Sequence, residues 1–532
     1  MASILSLHTR HDANVTVSVD DQVRLILECE RLFGQRYFAY SREPEEFRVQ
    51  LDRTLETVGR LTGVESFDFC IGNWIPEEHQ PVIQEHVPAR RFVETTHHRA
   101  HAAGTYALSP FDECLIVSID GGGNDGWINL YQGSKGRVRL LKRIDTNLGG
   151  CYRFLGNFIA EIRSRKAFQF TFGLDIAGKL MGLAAYGRRD EKLLAAIRKA
   201  MRSFQHPTDL EAFAREAGIP FEVDCLEGQA GRDLACNVQL AMEELMEEVF
   251  RENRDLLETR NVCLTGGCAL NVLSNSNLAR KYPDYNFYVP PNSNDCGIAL
   301  GSLCDLFPQT RVEECAWDGV PLLDEAGAGA FREKFSHRAT NPAEMARLLA
   351  NGRIIGVVQG KSEHGPRALG NRSILALPGY PGIKDTLNQK VKFREPYRPF
   401  APVVAVEQVD RYFDLPADSP YMSFSADVRP EHREALAGIT HADGSSRVQT
   451  LRREHNPLVY EILDELAALG HPAVLLNTSL NIKGKPIVSR LSEAAEILET
   501  TELDLVYYDG ALFENPAARE EREAVVAGER GG

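Results

Sequence analysis

Short apolar bursts divided by polar turns open the chain, and that rhythm predicts strands before helices. Ile4–Leu7 reads as one strand, His8–Asn14 as a loop and Val15–Val19 as a second strand. After a turn at Asp20–Asp21, Arg24–Glu28 supplies a third. About a hundred residues later the design returns. Leu115–Ile119 is apolar, Asp120–Gly126 is a polar glycine-rich turn, and Trp127–Tyr131 is a further strand. Two such units predict a duplicated core. Glu45–Leu61 and His97–Ala107 carry helical periodicity. Leu234–Arg254 predicts a long helix, and Val262–Leu264 a strand running into Thr265–Asn271. Alternation of this kind predicts an α/β architecture. Ala316–Ala330 is rich in Gly, Ala and Asp without clean periodicity, so the domain junction is placed near residue 345. A second α/β domain then covers 346–515 and a charged tail 516–532.

Composition narrows the partners. The 532 residues contain 60 Lys+Arg and 75 Asp+Glu, a formal charge of −15, with 43% hydrophobic residues. The chain is globular. Its acidic balance argues against coating nucleic acid or an anionic membrane. No apolar run nears the ~20 residues that span a bilayer, and no basic, then apolar, leader opens the sequence. Eleven scattered cysteines without a CxxC spacing fit reduced thiols, so a cytoplasmic location is expected.

Candidate chemistry lies in three places. His97 and His101 stand four apart, which on a helix puts both imidazoles on one face about 5–6 Å apart. His98 points elsewhere and could orient a neighbour or a substrate. Asp120 ends an apolar strand, and Asp295 opens a helix at Cys296-Gly297, where it would serve equally as a cap. Two imidazoles with two carboxylates make an N/O set that suits Fe(II), Mn or Zn; alone, the histidine pair could be ordinary surface residues.

Glycine-rich loops form the second place. Asp120-Gly121-Gly122-Gly123 and Thr265-Gly266-Gly267 each follow a strand, where backbone N–H groups can approach a phosphate. Lys179 sits among small residues and would meet phosphate or simply allow close helix packing. Neither a P-loop nor a GxGxxG helix start is present.

The third place is basic. Between Arg353 and Arg398 nine Lys/Arg face three Asp/Glu, a local +6 within a chain of −15. Arg367 and Arg372 flank a Gly/Pro-shaped turn, and Lys392, Arg394 and Arg398 alternate with aromatics and prolines. This pattern predicts a concentrated anion site. Arg447 and the Asn477-Thr478-Ser479 stretch, which follows the apolar Ala473–Leu476, are further candidates. RNA is the competing anion, but the window is too short for a strand-tracking groove.

Taken together, His11-Asp12-Ala13, His97-His98-x-x-His101-Ala102, Asp120-Gly121-Gly122, Gly178-Lys179-x-Met181-Gly182, Gly266-Gly267-x-Ala269-x-Asn271, Gly365-Pro366-Arg367-Ala368-Leu369-Gly370-x-Arg372-Ser373, Arg398-Pro399-Phe400-Ala401-Pro402 and Asn477-Thr478-Ser479 resemble the NodU/CmcH-type O-carbamoyltransferases. The motifs run in family order along nearly the whole chain. The resemblance implies an N-terminal domain (1–345) of the actin/sugar-kinase/heat-shock-protein fold, a duplicated ribonuclease H-like unit, and a C-terminal YrdC-like domain (346–515). It implies that ATP, with Mg²⁺, and carbamoyl phosphate give carbamoyl-adenylate, whose carbamoyl group passes to a hydroxyl of a small molecule, an antibiotic or other secondary metabolite, without nucleic acid or membrane as partner. By position, His97, His101, Asp120 and Asp295 match the ligands of Fe(II) or another divalent ion, and His11 the proposed base. Arg367, Arg372, Lys392, Arg398, Arg447, Asn477 and Ser479 match the ATP and carbamoyl phosphate set, with Lys392 and Arg398 also catalytic. Gly121, Gly122, Lys179, Gly266, Gly267 and Asn271 match a carbamoyl-adenylate site in the N-terminal half. One departure stands out: the family's usual Glu-Glu-Arg-Phe run reads Glu28-Cys29-Glu30-Arg31-Leu32-Phe33 here. The competing readings are a carbamoyl- or threonylcarbamoyl-adenylate enzyme acting on tRNA or a protein, and a non-catalytic nucleotide-sensing module.

Overall fold

The computed structural model describes residues 2–163, 173–205, 209–216, 226–312 and 315–516. The chain forms two compact units. The first takes in Met1–Phe33 and Tyr37–Glu314, the second Cys315–Gly532 together with Gly34–Arg36.

The first unit holds two five-stranded sheets. One is built from β1 (Ser3–His8), β2 (Asn14–Val19), β3 (Gln22–Glu28), β4 (Phe67–Asn73) and β5 (Ala89–Thr95) in the order β3-β2-β1-β4-β5. The other uses β6 (Glu113–Ile119), β7 (Ile128–Ser134), β8 (Arg137–Ile144), β9 (Asn261–Thr265) and β10 (Asn286–Tyr288) in the order β8-β7-β6-β9-β10. In each, three antiparallel strands are followed by two parallel to the first. The second sheet thus repeats the first in order and direction. In the first sheet the β2–β3 hairpin turns at Asp20 and Asp21, both left-handed at φ 54° and 60°, a conformation Asp tolerates through local hydrogen bonding. β5 escaped the sequence reading because Arg90, Arg91, Phe92 and Glu94 leave it largely exposed and without alternation.

Helix His97–Leu108 follows β5 and crosses helix Ile298–Leu306 at two glycines. A Cβ on Gly301 would meet the Ala100 carbonyl oxygen at 2.0 Å, and one on Gly104 would meet the Gly301 Cα at 2.9 Å. Only glycine permits this approach. It brings His97 and His101 of one helix to the start of the other, where Asp295 sits.

The second unit is a ten-stranded mixed sheet built from β11 (His337–Ala339), β12 (Ile355–Val358), β13 (Arg372–Ala376), β14 (Ala401–Ala405), β15 (Phe413–Asp414), β16 (Phe424–Val428), β17 (Ser445–Leu451), β18 (Val474–Ser479), β19 (Leu505–Tyr508) and β20 (Ala511–Glu514). Its order is β11-β20-β19-β12-β13-β18-β14-β17-β16-β15. Met345 and Leu349 of one helix and Ile462, Leu463 and Leu466 of another join one apolar layer with this sheet, and Leu498 and Phe331 join a second. The unit begins at Cys315, ahead of the junction placed near residue 345. Among the Gly/Ala/Asp positions that hid this, Leu323 donates its N–H to the Ser489 carbonyl at 2.9 Å and Phe331 packs 4.7 Å from Phe513. Of the tail at 516–532, all but Pro516 lies outside the described residues. No helix among the described residues is long and apolar enough to cross a membrane.

Candidate metal centre and anion site

The structure brings His97, His101, Asp120 and Asp295 together, one ligand atom of each lying within 4.8 Å of all the others. Asp295 Oδ1 is 3.5 Å from His97 Nε2 and 3.4 Å from His101 Nε2, and Asp120 Oδ2 is 3.6 Å from His101 Nε2. All four side chains are buried, yet neither nitrogen of His97 nor Nε2 of His101 has a hydrogen-bond partner. Metal–ligand bonds of ~2.0–2.2 Å at roughly tetrahedral to octahedral angles separate neighbouring ligand atoms by about 3.0–3.5 Å. The donors present, their spacing and their unsatisfied nitrogens therefore fit a divalent cation. Electrostatics agrees. Burial holds His97 well below the usual imidazole range. Burial alone would raise Asp295, but the imidazoles of His97 and then His11 keep it well below the usual carboxylate range. Burial, with Asp295, raises Asp120. An ionised carboxylate beside ring nitrogens that lack hydrogen-bond partners is a receptor for a cation.

Asp120 is set by the glycine loops. Its Oδ1 accepts from the Gly122 N–H at 3.2 Å and its Oδ2 from the Gly267 N–H at 2.5 Å. Gly266 holds φ 84°, and a Cβ there would lie 2.2 Å from the Ile119 carbonyl oxygen. Gly267 thus directs its N–H at a carboxylate. Asn271 has both ends of its amide in use, bonding Gln239 and capping helix Val272–Lys281 through the Ser274 N–H. Lys179 pairs with Asp175 at 2.5 Å.

His11 joins the cluster from the loop after β1. Its Nε2 lies 3.5 Å from Asp295 Oδ2 and its Nδ1 3.4 Å from Asp12 Oδ2, and its side chain is 33% exposed. Burial would lower its pKa, but Asp295 and then Asp12 outweigh it and raise it to about 9. In the metal-free protein this raised value stabilises the fold fully below about pH 6.5, the unfolded imidazole value, and the contribution fades as pH rises through about 9. Denaturant midpoints of the wild type and His11→Gln are expected to differ at pH 6 and to converge above pH 9. A gap that widens with pH would contradict the assignment.

Three neighbours were not legible in the sequence. His8, buried at the end of β1, places Nε2 3.7 Å from Asp295 Oδ2; a single histidine closing an apolar strand gives no signal. Arg10 stacks its guanidinium 3.8 Å from the centre of the Trp74 ring and donates Nε–H to the Trp74 carbonyl at 2.9 Å. Trp74 itself is left-handed at φ 47°, and its ring centre lies 5.7 Å from that of His97 in an edge-on arrangement. For so bulky a residue that backbone is strained by about 1–3 kcal/mol.

In the second unit the basic window converges. Burial, then Arg394, Arg398 and Arg36, pull Lys392 well below the usual lysine range. Burial, then Arg367, Arg394 and Arg398, do the same to Arg447, and Arg394 falls to about 9 through burial and Arg398. Lys392 Nζ donates to the carbonyls of Ser479 at 2.5 Å and Asn481 at 2.8 Å, to Ser479 Oγ at 3.3 Å and to Asn481 Oδ1. Asn477 Nδ2 donates to Gln449 at 2.7 Å and to the Ala368 carbonyl at 3.2 Å, while its Oδ1 has no partner. Arg447 stands on β17, its side chain makes no hydrogen bond or ion pair among the described residues, and its Nε is buried and unpaired. Cations that depress one another need an anion.

Arg372, expected in the anion set, is bonded to its own loop. It is fully buried, and its guanidinium donates to the carbonyls of Gln359, Gly360 and Asn371 at 2.5, 2.9 and 3.0 Å. Its two terminal nitrogens therefore hold the loop. Buried Glu363 does the same from the other side, its Oε1 accepting the N–H groups of Leu369, Asn371 and Arg372 at 2.7, 2.8 and 3.1 Å. Arg367 rides on the loop so anchored.

Comparison with known proteins decides the family. The Carbamoyltransferase N-terminus description matches residues 79–304 and the Carbamoyltransferase C-terminus description residues 346–515. The chain belongs to the carbamoyltransferase family. This carbamoyltransferase is 32% identical over 461 residues to nodulation protein NolO of Bradyrhizobium diazoefficiens, covering 81% of each chain. It is 30% identical over 413 residues to the 3'-hydroxymethylcephem-O-carbamoyltransferase of Amycolatopsis lactamdurans, covering 76% of this chain and 77% of the other. Among solved structures, full-length HypF in its phosphate- and nucleotide-bound form aligns with a TM-score of 0.36 at 15% identity, covering 57% of this carbamoyltransferase and 46% of that chain. That score is too low to carry a shared fold.

Proposed function

We propose that this carbamoyltransferase is an ATP-dependent O-carbamoyltransferase. The second unit, read as YrdC-like, takes carbamoyl phosphate and ATP. Water adds to the carbonyl carbon of carbamoyl phosphate as its bond to the phosphate oxygen breaks, leaving carbamate and phosphate; a carbamate oxygen then displaces pyrophosphate from the α-phosphorus of ATP to give carbamoyl-adenylate. The first unit, read as an actin-like duplicated fold, passes the carbamoyl group to a hydroxyl of a small molecule and leaves AMP.

The observation that carries this reading is the unpaired guanidinium of Arg447 among Arg367, Arg394 and Arg398, the last two of which also act on Lys392. Two polyanionic substrates repel each other, and fixed cations in a dry site offset that repulsion as oxygen displaces phosphate. Lys392, Ser479 and Asn481 form one bonded cluster, so the Lys392 nitrogen is held in place, and a phosphate oxygen arriving there would exchange for one of its present acceptors. Water exclusion matters because carbamate is short-lived in water.

In the first unit His97, His101, Asp120 and Asp295 would hold a divalent ion, Fe(II) by family resemblance, which when bound supplies Lewis-acid polarisation of a carbonyl. Asp12 orients the His11 ring through Nδ1. With Asp295 engaged as a ligand, its charge no longer holds His11 protonated, and Nε2 accepts the proton of the attacking hydroxyl.

The test needs no acceptor. Full-length protein incubated with ATP, Mg²⁺ and carbamoyl phosphate is expected to release pyrophosphate, and to release none when carbamoyl phosphate is omitted. Pyrophosphate formation that ignores carbamoyl phosphate would remove this function.

A further inference from the structure

His98 sits between the two histidine ligands in sequence, and its ring lies edge-on to theirs, 5.6 Å from His97 and 6.4 Å from His101 centre to centre, while its nitrogens bond elsewhere. It is buried, and both nitrogens are in use. Nδ1 lies 2.8 Å from Ser118 Oγ on β6, and Nε2 lies 2.9 Å from the Gly126 carbonyl oxygen. A carbonyl only accepts, so Nε2 carries the proton and Nδ1 accepts from the Ser118 hydroxyl. One ring therefore ties the start of helix His97–Leu108 to β6 and to the far end of the Asp120–Gly126 turn.

The same turn also caps the helix. Thr96, at the N-cap position, makes no side-chain cap bond. Instead Asn124 Oδ1 accepts the His97 N–H at 3.0 Å, and Asp125 Oδ1 accepts the His98 N–H at 2.9 Å. These are N–H groups with no partner inside the helix. The turn packs tightly on the ring: a Cβ on Gly123 would come within 2.8 Å of His98 Cδ2. Asn129 closes the bracket by donating Nδ2–H to the Asp125 carbonyl at 3.0 Å. What the bracket joins is informative. The helix carries His97 and His101, and the turn begins at Asp120.

We propose that His98 is the positioning residue of the ion site, fixing the helix against the Asp120 turn so that three of the four ligand side chains are set before the ion arrives. The inference rests on the reading that the His/Asp cluster holds a divalent cation. Without the ring, helix and turn are joined mainly by the two backbone caps, and binding must supply the reorganisation. Partners that orient metal ligands typically account for about 10–100-fold in affinity.

Co(II) is the probe, followed by calorimetric titration of the full-length protein and by its visible d–d band at saturation, at a temperature where every variant is folded. The wild type is expected to bind one Co(II) at this site. His98→Ala should bind it about 10–100-fold more weakly and show an altered band when saturated. His98→Gln, whose amide can still donate to the Gly126 carbonyl, should recover part of the loss, and Ser118→Ala should fall between the wild type and His98→Ala. A purely structural role would lower the melting temperature while leaving affinity and band unchanged, and that result in His98→Ala overturns the proposal. Should His98→Ala fail to fold, wild-type affinity and band in both His98→Gln and Ser118→Ala overturn it equally. Absence of Co(II) uptake by the wild type would instead remove the metal reading itself, and this inference with it.

Discussion

Asp295→Ala is expected to abolish divalent-ion binding and to lower carbamoyl transfer about a thousandfold or more, while pyrophosphate release stays within about twofold of wild type. The asymmetry follows from the geometry. Asp295 gives Oδ1 to His97 and His101 and Oδ2 to His8 and His11, so one carboxylate faces all four imidazoles. Its removal leaves Asp120 as the sole anion of the proposed ligand set. The Asp295 backbone also accepts from Asn14 Nδ2 at 2.8 Å, so Asp295→Asn, nearly isosteric, is the check against misfolding. Equal loss of both half-reactions in Asp295→Asn would break the assignment of the two chemistries to two units.

Arg447→Met is expected to do two opposite things. Pyrophosphate release should fall about 10²–10³-fold, the usual effect of removing one fixed donor from a charged transition state. The melting temperature should rise by about 2–4 °C, because a guanidinium held beside other cations without a partner is a burden on the folded state that a thioether of similar length does not impose. Thermal melts and the acceptor-free assay on the same preparation read both effects. A variant that loses activity and stability together would mean that Arg447 holds the fold and not a substrate.

The His97/His101 pair was legible because a spacing of four on a helix has one geometric meaning, and Asp120 because it closes an apolar strand. His8 and the Arg10–Trp74 stack were not, since both depend on segments about 60 to 290 residues apart meeting in space. Arg372 reads in sequence like Arg367, five positions away in the same glycine-shaped loop. Burial separates them, and burial at single-residue precision is not written in a loop that lacks periodicity. The strands near the N-terminus announced themselves by alternation, whereas β5 did not, its side chains being mostly polar and exposed. The junction was hidden because Phe331 and Phe335 are isolated apolar residues whose partners come from the far end of the chain.

The repeated sheets of the first unit have a consequence for the cluster. His8 and His11 come from the end of the first strand of one sheet and Asp120 from the equivalent end in the other, with His97 and His101 on the helix that links the two copies. Neither copy by itself owns a full set of cation donors. The cluster is therefore a property of the pair: strand ends of both sheets and the helix that joins them must be in place together before these donors can meet one cation.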